Sequence, residues 1–243
     1  MKNLTLFALV ILLTQFSFSQ TMIVHKTDHT RVNVTLSQID SIKFSLQDLP
    51  IEGMVAYYPF SGNANDSSGK GHHGSVNGAT LSADRFGNAN SSYYFDGSSN
   101  SITVAHDTLF DLKGMNSLTV SCWMKAVVPN PYHSGLWCKA NPEGCSNYCI
   151  WFNGTHGDSL TVNVNDHCSS TSIVRFINGS AASWHNIVVV FDSLNVSMYS
   201  DGNLVKQDVF TRTPEPNTSR LYFGDDSDGG QNYFNGYMDD IRI

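Results

Sequence analysis

Two adjacent carboxylates near the C-terminus, Asp239 and Asp240, raise the first chemical question in this sequence. The run Tyr237–Ile243 reads as a strand, and alternate side chains of a strand face opposite ways. Asp239 then shares a face with Ile241 and Ile243, and Asp240 shares the other with Arg242. A carboxylate on an apolar face must be paired, hydrogen-bonded or bound to a cation. The loop Asn65–Gly74 supplies another carboxylate, Asp66, and two glycines, Gly69 and Gly71, that free the backbone to curl. Carbonyls in such a curl, those of Gly71 and His73 foremost, are hard oxygen ligands of the kind calcium takes. The alternative is that Asp66 caps its own turn and Asp239 bonds nearby amides. A second acidic stretch, Asp225–Gly230, lacks the closing Glu and flanking helices of an EF-hand and reads as a solvated turn.

Sulfur chemistry depends on the compartment. Residues 1–20 carry Lys2, an apolar run from Leu4 to Leu13, and small residues at Ser17 and Ser19, the pattern of a cleaved secretory signal. The run is too short to span a bilayer, so the expectation is a secreted or cell-surface protein without a membrane span. In that setting the five cysteines favour disulfides over a zinc site built from Cys145, Cys149, His167 and Cys168. If 153–158 is a hairpin turn, Cys145 lies opposite Asp166, two positions from Cys168. Cys138 and Cys149 face each other across the base of the intervening loop. The expected bridges are therefore Cys138–Cys149 and Cys145–Cys168, with Cys122 a buried free thiol in the strand Leu118–Trp123.

Hydrolytic chemistry finds little support. Gly157–Leu160 spells a GDSL box, but it opens a strand, and no His in the chain follows an Asp by three positions. The net charge of −7 argues against nucleic acid, whose phosphates need a Lys/Arg surface. Of the 21 acidic residues only Glu52, Glu143 and Glu215 are Glu, and the wealth of Asp, Asn and Gly is turn chemistry rather than helix chemistry.

The elements that must position these residues are short strands. A small β appendage occupies 21–50, with strands at Met22–His25, Arg31–Thr35 and Ser41–Phe44. A larger unit spans 51–243, with its clearest strands at Met54–Phe60, Ser92–Phe95, Ser101–Ala105, Leu118–Lys125, Tyr148–Phe152, Leu160–Asn165, Ile187–Phe191, Val196–Ser200, Arg220–Phe223 and Tyr237–Ile243. Many short strands separated by Gly/Asn/Asp/Ser turns indicate an all-β fold, a two-sheet antiparallel sandwich.

Several segments in order carry a family resemblance: Val55–Phe60, Asn65–Gly74, Tyr94–Gly97, Leu118–Trp123, Trp184–Asp192, Met198–Gly202 and Phe234–Ile243. Together they resemble a laminin-G-like jelly roll of the concanavalin A-like lectin/glucanase superfamily. The segment Leu36–Ile42 resembles one found near the start of secreted Bacteroidota proteins. The resemblance implies a calcium held between Asp66 and Asp239, with Gly71 and His73 as carbonyl ligands. It also implies a test for glucanase chemistry, since related enzymes carry Glu-x-Asp-x-x-Glu on one strand and this chain has no such motif. The departures are Lys70 where Asn is common, a long Cys-rich stretch from Val127 to Cys149, and an end at Ile243 within the closing strand, from which a longer parent protein is expected. The implied function is a non-catalytic module for a glycan or glycoprotein; the alternative is a structural or adhesion module with no sugar site of its own. Sugar sites need aromatic faces beside polar groups. Tyr132, Trp137 and Tyr148, around the Cys-rich stretch, are the expected ligand residues, with a core role for Trp137 equally open, whereas Trp123 and Trp184 lie in core-like strands.

Overall fold

The computed structural model describes residues 21–25, 31–35, 52–113, 117–127, 130, 134–140, 146–153, 159–166, 169–176, 182–193, 195–209, 214, 216–226 and 232–243. The chain divides into two compact units between Glu52 and Gly53. In the first, β1 (Thr21–His25) and β2 (Arg31–Thr35) form an antiparallel hairpin with Val24 opposite Val32. The expected third strand, Ser41–Phe44, and the signal segment lie outside the described residues.

The second unit is a β-sandwich. In chain order it contains β3 (Tyr57–Tyr58), β4 (Gly74–Asn77), β5 (Thr80–Ser82), β6 (Ser92–Asp96), β7 (Ser101–Val104), β8 (Leu118–Ala126), β9 (Ser134–Ala140), β10 (Ser146–Asn153) and β11 (Ser159–Asp166). Then follow β12 (Ser169–Phe176), β13 (His185–Asp192), β14 (Asn195–Ser200), β15 (Asn203–Val209), β16 (Leu221–Phe223) and β17 (Asn235–Arg242). One sheet runs β12-β11-β10-β9-β16-β7-β4; the other runs β15-β14-β13-β8-β17-β6-β5, with β3 also on β17. Every named ladder is antiparallel. Backbone bonds from Val55 N to Ile243 O (2.7 Å) and from Ile243 N to Ala56 O (3.0 Å) tie the start of the unit to its end.

Alternation decides which face each strand buries. In β8 the residues Val120, Cys122, Met124 and Ala126 are buried, while Ser121, Trp123 and Lys125 are only partly so. The same pattern in β13 sends Ile187, Val189 and Phe191 inward. With Phe60, Phe95, Phe110, Phe152, Phe223, Phe234 and Met238 they fill one core between the sheets. Expected strands differ from observed ones in two instructive ways. Met54–Phe60 yields only Tyr57–Tyr58, because Phe60 takes a φ of 48° just after Pro59 and turns the chain away. β9 was not anticipated, because all seven of its residues are buried and no alternation marks it.

The cystine Cys138–Cys149 forms between directly opposed residues of β9 and β10, with Cα atoms 4.1 Å apart, as expected from the loop arithmetic. Cys122 is free and buried. The β10–β11 register places Tyr148 opposite Val164, one residue from the expected pairing. Cys145 and Cys168 lie outside the described residues. The Cys138–Cys149 link spans 11 residues of separation inside a sheet, so the double variant Cys138→Ser/Cys149→Ser should lose about 2–4 kcal/mol of stability. Denaturant unfolding followed by tryptophan fluorescence measures this directly.

Candidate functional site: the outer face of the eight-stranded sheet

Trp123 and Lys125 are two residues apart on β8 and project from the face opposite the core. On one side β13 sets Asn186 opposite Trp123; on the other β17 sets Tyr237 opposite Lys125 and Asp239 opposite Trp123. Next to Tyr237 comes Tyr94 of β6. Gly236 lets β17 lie this close to β8, since a Cβ there would collide with the Lys125 carbonyl and the Phe234 ring. Trp184, just before β13, completes the surface. Its neighbour His185 is fixed by a 2.7 Å contact from Nδ1 to Asp201, and Asp201 with Gly202 forms the left-handed turn joining β14 to β15. The rings form a row: Trp184 to Tyr237 is 6.2 Å between centroids, and Tyr237 to Tyr94 is 5.0 Å. The Lys125 ammonium sits 4.2 Å from the Tyr237 centroid and 5.4 Å from that of Trp184.

At the other end of the face, Arg85 stacks over Trp123 at 4.6 Å and over Phe86 at 4.5 Å. Its two terminal nitrogens reach Asp239 (2.7 Å) and Asp240 (2.6 Å). The β5–β6 turn aims it. Asp84 Oδ1 accepts hydrogen bonds from the amides of Phe86 and Asn88, closing an Asx turn around Arg85. Asp240 also accepts from the Tyr57 hydroxyl at 2.8 Å, and Arg242 stacks on Tyr57. Burial and the neighbouring Asp240 charge push the Tyr57 phenol up to about 12, so it is a hydrogen-bond donor at any physiological pH.

The parity expectation for Asp239 is corrected here. Between Asp239 and Arg242 the register slips, and two residues, Asp240 and Ile241, stand opposite Cys122 alone. Asp240 has a φ of 50°. This is a β-bulge, and it places Asp239 on the outer face with Trp123 while Ile241 returns to the core. Asp239 is nonetheless only 1 % exposed, covered and neutralised by Arg85. Asp66 takes the capping role left open by the sequence. Its Oδ1 accepts from the amides of Tyr57 and Ser68, and its Oδ2 from the His72 amide and the Ser68 hydroxyl. His73 Nδ1 accepts from the Asp66 amide, and the His72 carbonyl accepts from the Tyr58 hydroxyl. A calcium held by Asp66, Asp239 and the carbonyls of Gly71 and His73, as the resemblance implies, would have to displace amides from one carboxylate and the Arg85 guanidinium from the other.

Of the expected ligand residues, Tyr148 is corrected and Trp137 takes the core role left open by the sequence: both are completely buried, facing the core from β9 and β10. Tyr132 lies outside the described residues. Trp123 and Trp184, read from the sequence as core-like, are partly exposed, as is Trp151. A second concentration of polar groups surrounds Lys139, which is fully buried. Its ammonium donates to the carbonyls of Asn217 and Ser219, each at 2.9 Å, lies 3.1 Å from His106 Nδ1 and pairs with Asp111 at 3.0 Å. His106, Asp111 and Asn217 also line an open cavity of about 300 Å³.

A family model described as the concanavalin A-like lectin/glucanases superfamily matches residues 73–243. The chain belongs to that superfamily. Its solved structural neighbours include the binding domain of Paraclostridial Mosquitocidal Protein 1, at 16 % identity and a TM-score of 0.63, covering 79 % of this chain and 48 % of that one. The binding domain of botulinum neurotoxin DC in complex with rat synaptotagmin II matches at 15 % identity and 0.60, with the same coverage. A structure of botulinum neurotoxin type C, whose cell entry is described as dependent on two ganglioside molecules, matches at 13 % and 0.62, covering 82 % of this chain and 49 % of that one. At these identities the likeness is one of fold, and the chain spans about half the length of each neighbour. A search of curated protein sequences finds no match.

Removing Arg85 should expose the cost of the carboxylates it holds. Arg85→Met is expected to destabilise the fold by about 3–5 kcal/mol, and adding Asp239→Asn should recover part of that loss; chemical denaturation of the three proteins reads it. A second expectation concerns acid. Burial pushes the Asp66 carboxyl up, but the amides of Tyr57, Ser68 and His72 and the Ser68 hydroxyl outweigh it and hold it below the usual carboxylate value of 3.8. A lowered folded value means the stabilisation is complete above the unfolded value and is lost as pH falls through the folded one. The stability gap between the native protein and Asp66→Asn should therefore be full at neutral pH and close below pH 3.8, as thermal melts across pH would show.

Proposed function

We propose that this chain is a non-catalytic binding module for carbohydrate or glycoconjugate, acting outside the cell, with the outer face of the eight-stranded sheet as its binding surface. The observation that carries this reading is the row of partly exposed rings formed by Tyr237 and Tyr94 on the adjacent strands β17 and β6 and by Trp184 at the entry to β13. Sugar rings present apolar C–H faces that stack on such platforms, while hydroxyls find polar groups at the edge. Asn235, which accepts from the Tyr94 hydroxyl at 3.4 Å, and Asn186 border the row. The synaptotagmin complex of one structural neighbour and the ganglioside-dependent cell entry described for another support a recognition role for the fold. The Cys138–Cys149 cystine supports an oxidising, extracellular setting.

The superfamily's name includes glucanases, so hydrolysis has to be weighed against the geometry. Glycoside cleavage needs two carboxyl groups flanking the bond, one of them protonated and the other free to act as base or nucleophile. On this face the two candidates, Asp239 and Asp240, are adjacent in sequence and share one guanidinium. That arrangement engages both as partners of Arg85 and supports binding without chemistry.

A glycan array probed with the full chain, followed by calorimetry on the hits, tests the reading. Trp184→Ala should weaken binding roughly tenfold or more, the loss of one stacked ring being worth about 1–2 kcal/mol, while leaving the melting temperature within a few degrees. Silence on the array from a folded protein would favour the structural or adhesion reading.

A further inference from the structure

Charge is distributed unevenly along the outer face, and that unevenness narrows the class of saccharide; the inference rests on the binding surface proposed above. At the Trp123 end, Arg85 is matched by Asp239 and Asp240, and Arg242 lies 3.9 Å from Asp240. Two cations and two carboxylates cancel there. At the Trp184 end stands Lys125, and among the described residues no carboxylate pairs with it. Its ammonium is held over the faces of Tyr237 and Trp184, and the residue as a whole is partly exposed.

Held in this way, the ammonium keeps its hydrogen-bonding capacity. A ring face attracts a cation by its quadrupole and neutralises no charge, so the N–H donors not turned to the rings are not consumed by it. The protein carries a net charge of −7, so general attraction of polyanions is not the explanation. What remains is a single cation fixed at the edge of a stacking platform.

We propose that Lys125 binds the anionic group of an acidic sugar residue, a carboxylate or a sulfate, whose ring stacks on the row Trp184, Tyr237 and Tyr94. The ring–sugar contact supplies area, and the charge-assisted hydrogen bond from Lys125 selects the acidic sugar over its neutral counterpart. Lysine suits this task as a point charge that accepts either a planar carboxylate or a tetrahedral sulfate.

Matched pairs of ligands test the proposal on the full chain by calorimetry: oligogalacturonate against its methyl ester, sialyllactose against lactose, and a sulfated against a desulfated heparin oligosaccharide. The first two pairs probe a carboxylate and the third a sulfate. In at least one pair the acidic member should bind roughly tenfold more tightly, the scale of one charge-assisted contact. Lys125→Met should erase that difference between the acidic and neutral members, and Lys125→Arg should retain most of it. Near-ultraviolet circular dichroism checks that each variant is folded. If neutral members bind as tightly as acidic ones, or if Lys125→Met leaves the preference intact while Trp184→Ala abolishes binding, the role of Lys125 is overturned and the binding surface stands. If no saccharide binds the folded native protein, the surface falls and this inference falls with it.

Discussion

The closing strand β17 has to bury Met238 and Ile241 on the same side, although they are three residues apart. A regular strand would send them to opposite faces. The bulge at Asp240–Ile241 resolves the conflict by letting two residues stand opposite Cys122. Its cost is a left-handed backbone at Asp240, of order 1–2 kcal/mol for a residue with a Cβ. Aspartate is among the residues that tolerate it best, and the Asp240 amide is satisfied at once by Asp239 Oδ1 at 2.8 Å. Without the bulge, either the core loses Ile241 and Ile243 or the outer face loses Tyr237 and Asp239. Because β17 pairs with β8, β6 and β3 together, the register of the sheet's centre depends on this one insertion.

The bulge also sets the electrostatics. It puts two carboxylates side by side, and a pair of like charges with little access to water is costly unless a cation meets both. Arg85 meets both, with its planar fork and five donors, and its stacking on Trp123 and Phe86 removes freedom it would otherwise lose on pairing. Lys125 answers no such demand. Its position is dictated by the alternation of β8, which explains how a cation comes to lie on an aromatic row with no carboxylate paired to it among the described residues.

Much of this architecture was legible in the sequence, and the reasons for the failures are physical. The alternation of Leu118–Ala126 and His185–Asp192, the Asp201–Gly202 turn and the Cys138–Cys149 pair follow from local rules about faces, turns and loop closure, and the structure shows them. Parity counted back from Ile243 misplaced Asp239, because a bulge leaves no mark in the hydrophobic pattern beyond an odd spacing such as Met238 to Ile241. That spacing was the available signal. Trp137 and Tyr148 were expected at a surface because the Cys-rich stretch resembled a loop insertion, but β9 is covered on both faces and so lacks alternation. Trp123 was readable: it shares parity with Thr119, Ser121 and Lys125, all polar, against Val120, Cys122 and Met124. Arg85 had no such signal, since only the three-dimensional closure of the Asp84 turn brings it to Asp239.

The two polar concentrations in the sandwich differ in what they leave unspent. Lys139, its side chain fully buried, delivers its ammonium to a ring of acceptors drawn from two segments: His106 and Asp111 after β7, and Asn217 and Ser219 before β16. Burial pulls that ammonium down, and the Asp111 contact offsets only part of the effect. Asn217 returns the favour by donating from its side-chain amide to the Lys139 carbonyl at 3.3 Å. Such a site holds loops together because its donors are consumed, and a buried charge with partners on every side gains nothing from a ligand that would replace them. The outer face is built the other way round. Tyr237 and Tyr94 are fixed by strand pairing and its carboxylates by Arg85, and Lys125 is supported by aromatic faces with no carboxylate paired to it among the described residues. A surface ordered before its ligand arrives loses little entropy on binding, so the rigidity of the sheet and the unspent charge of Lys125 act together, and both trace back to the register that the bulge in β17 imposes.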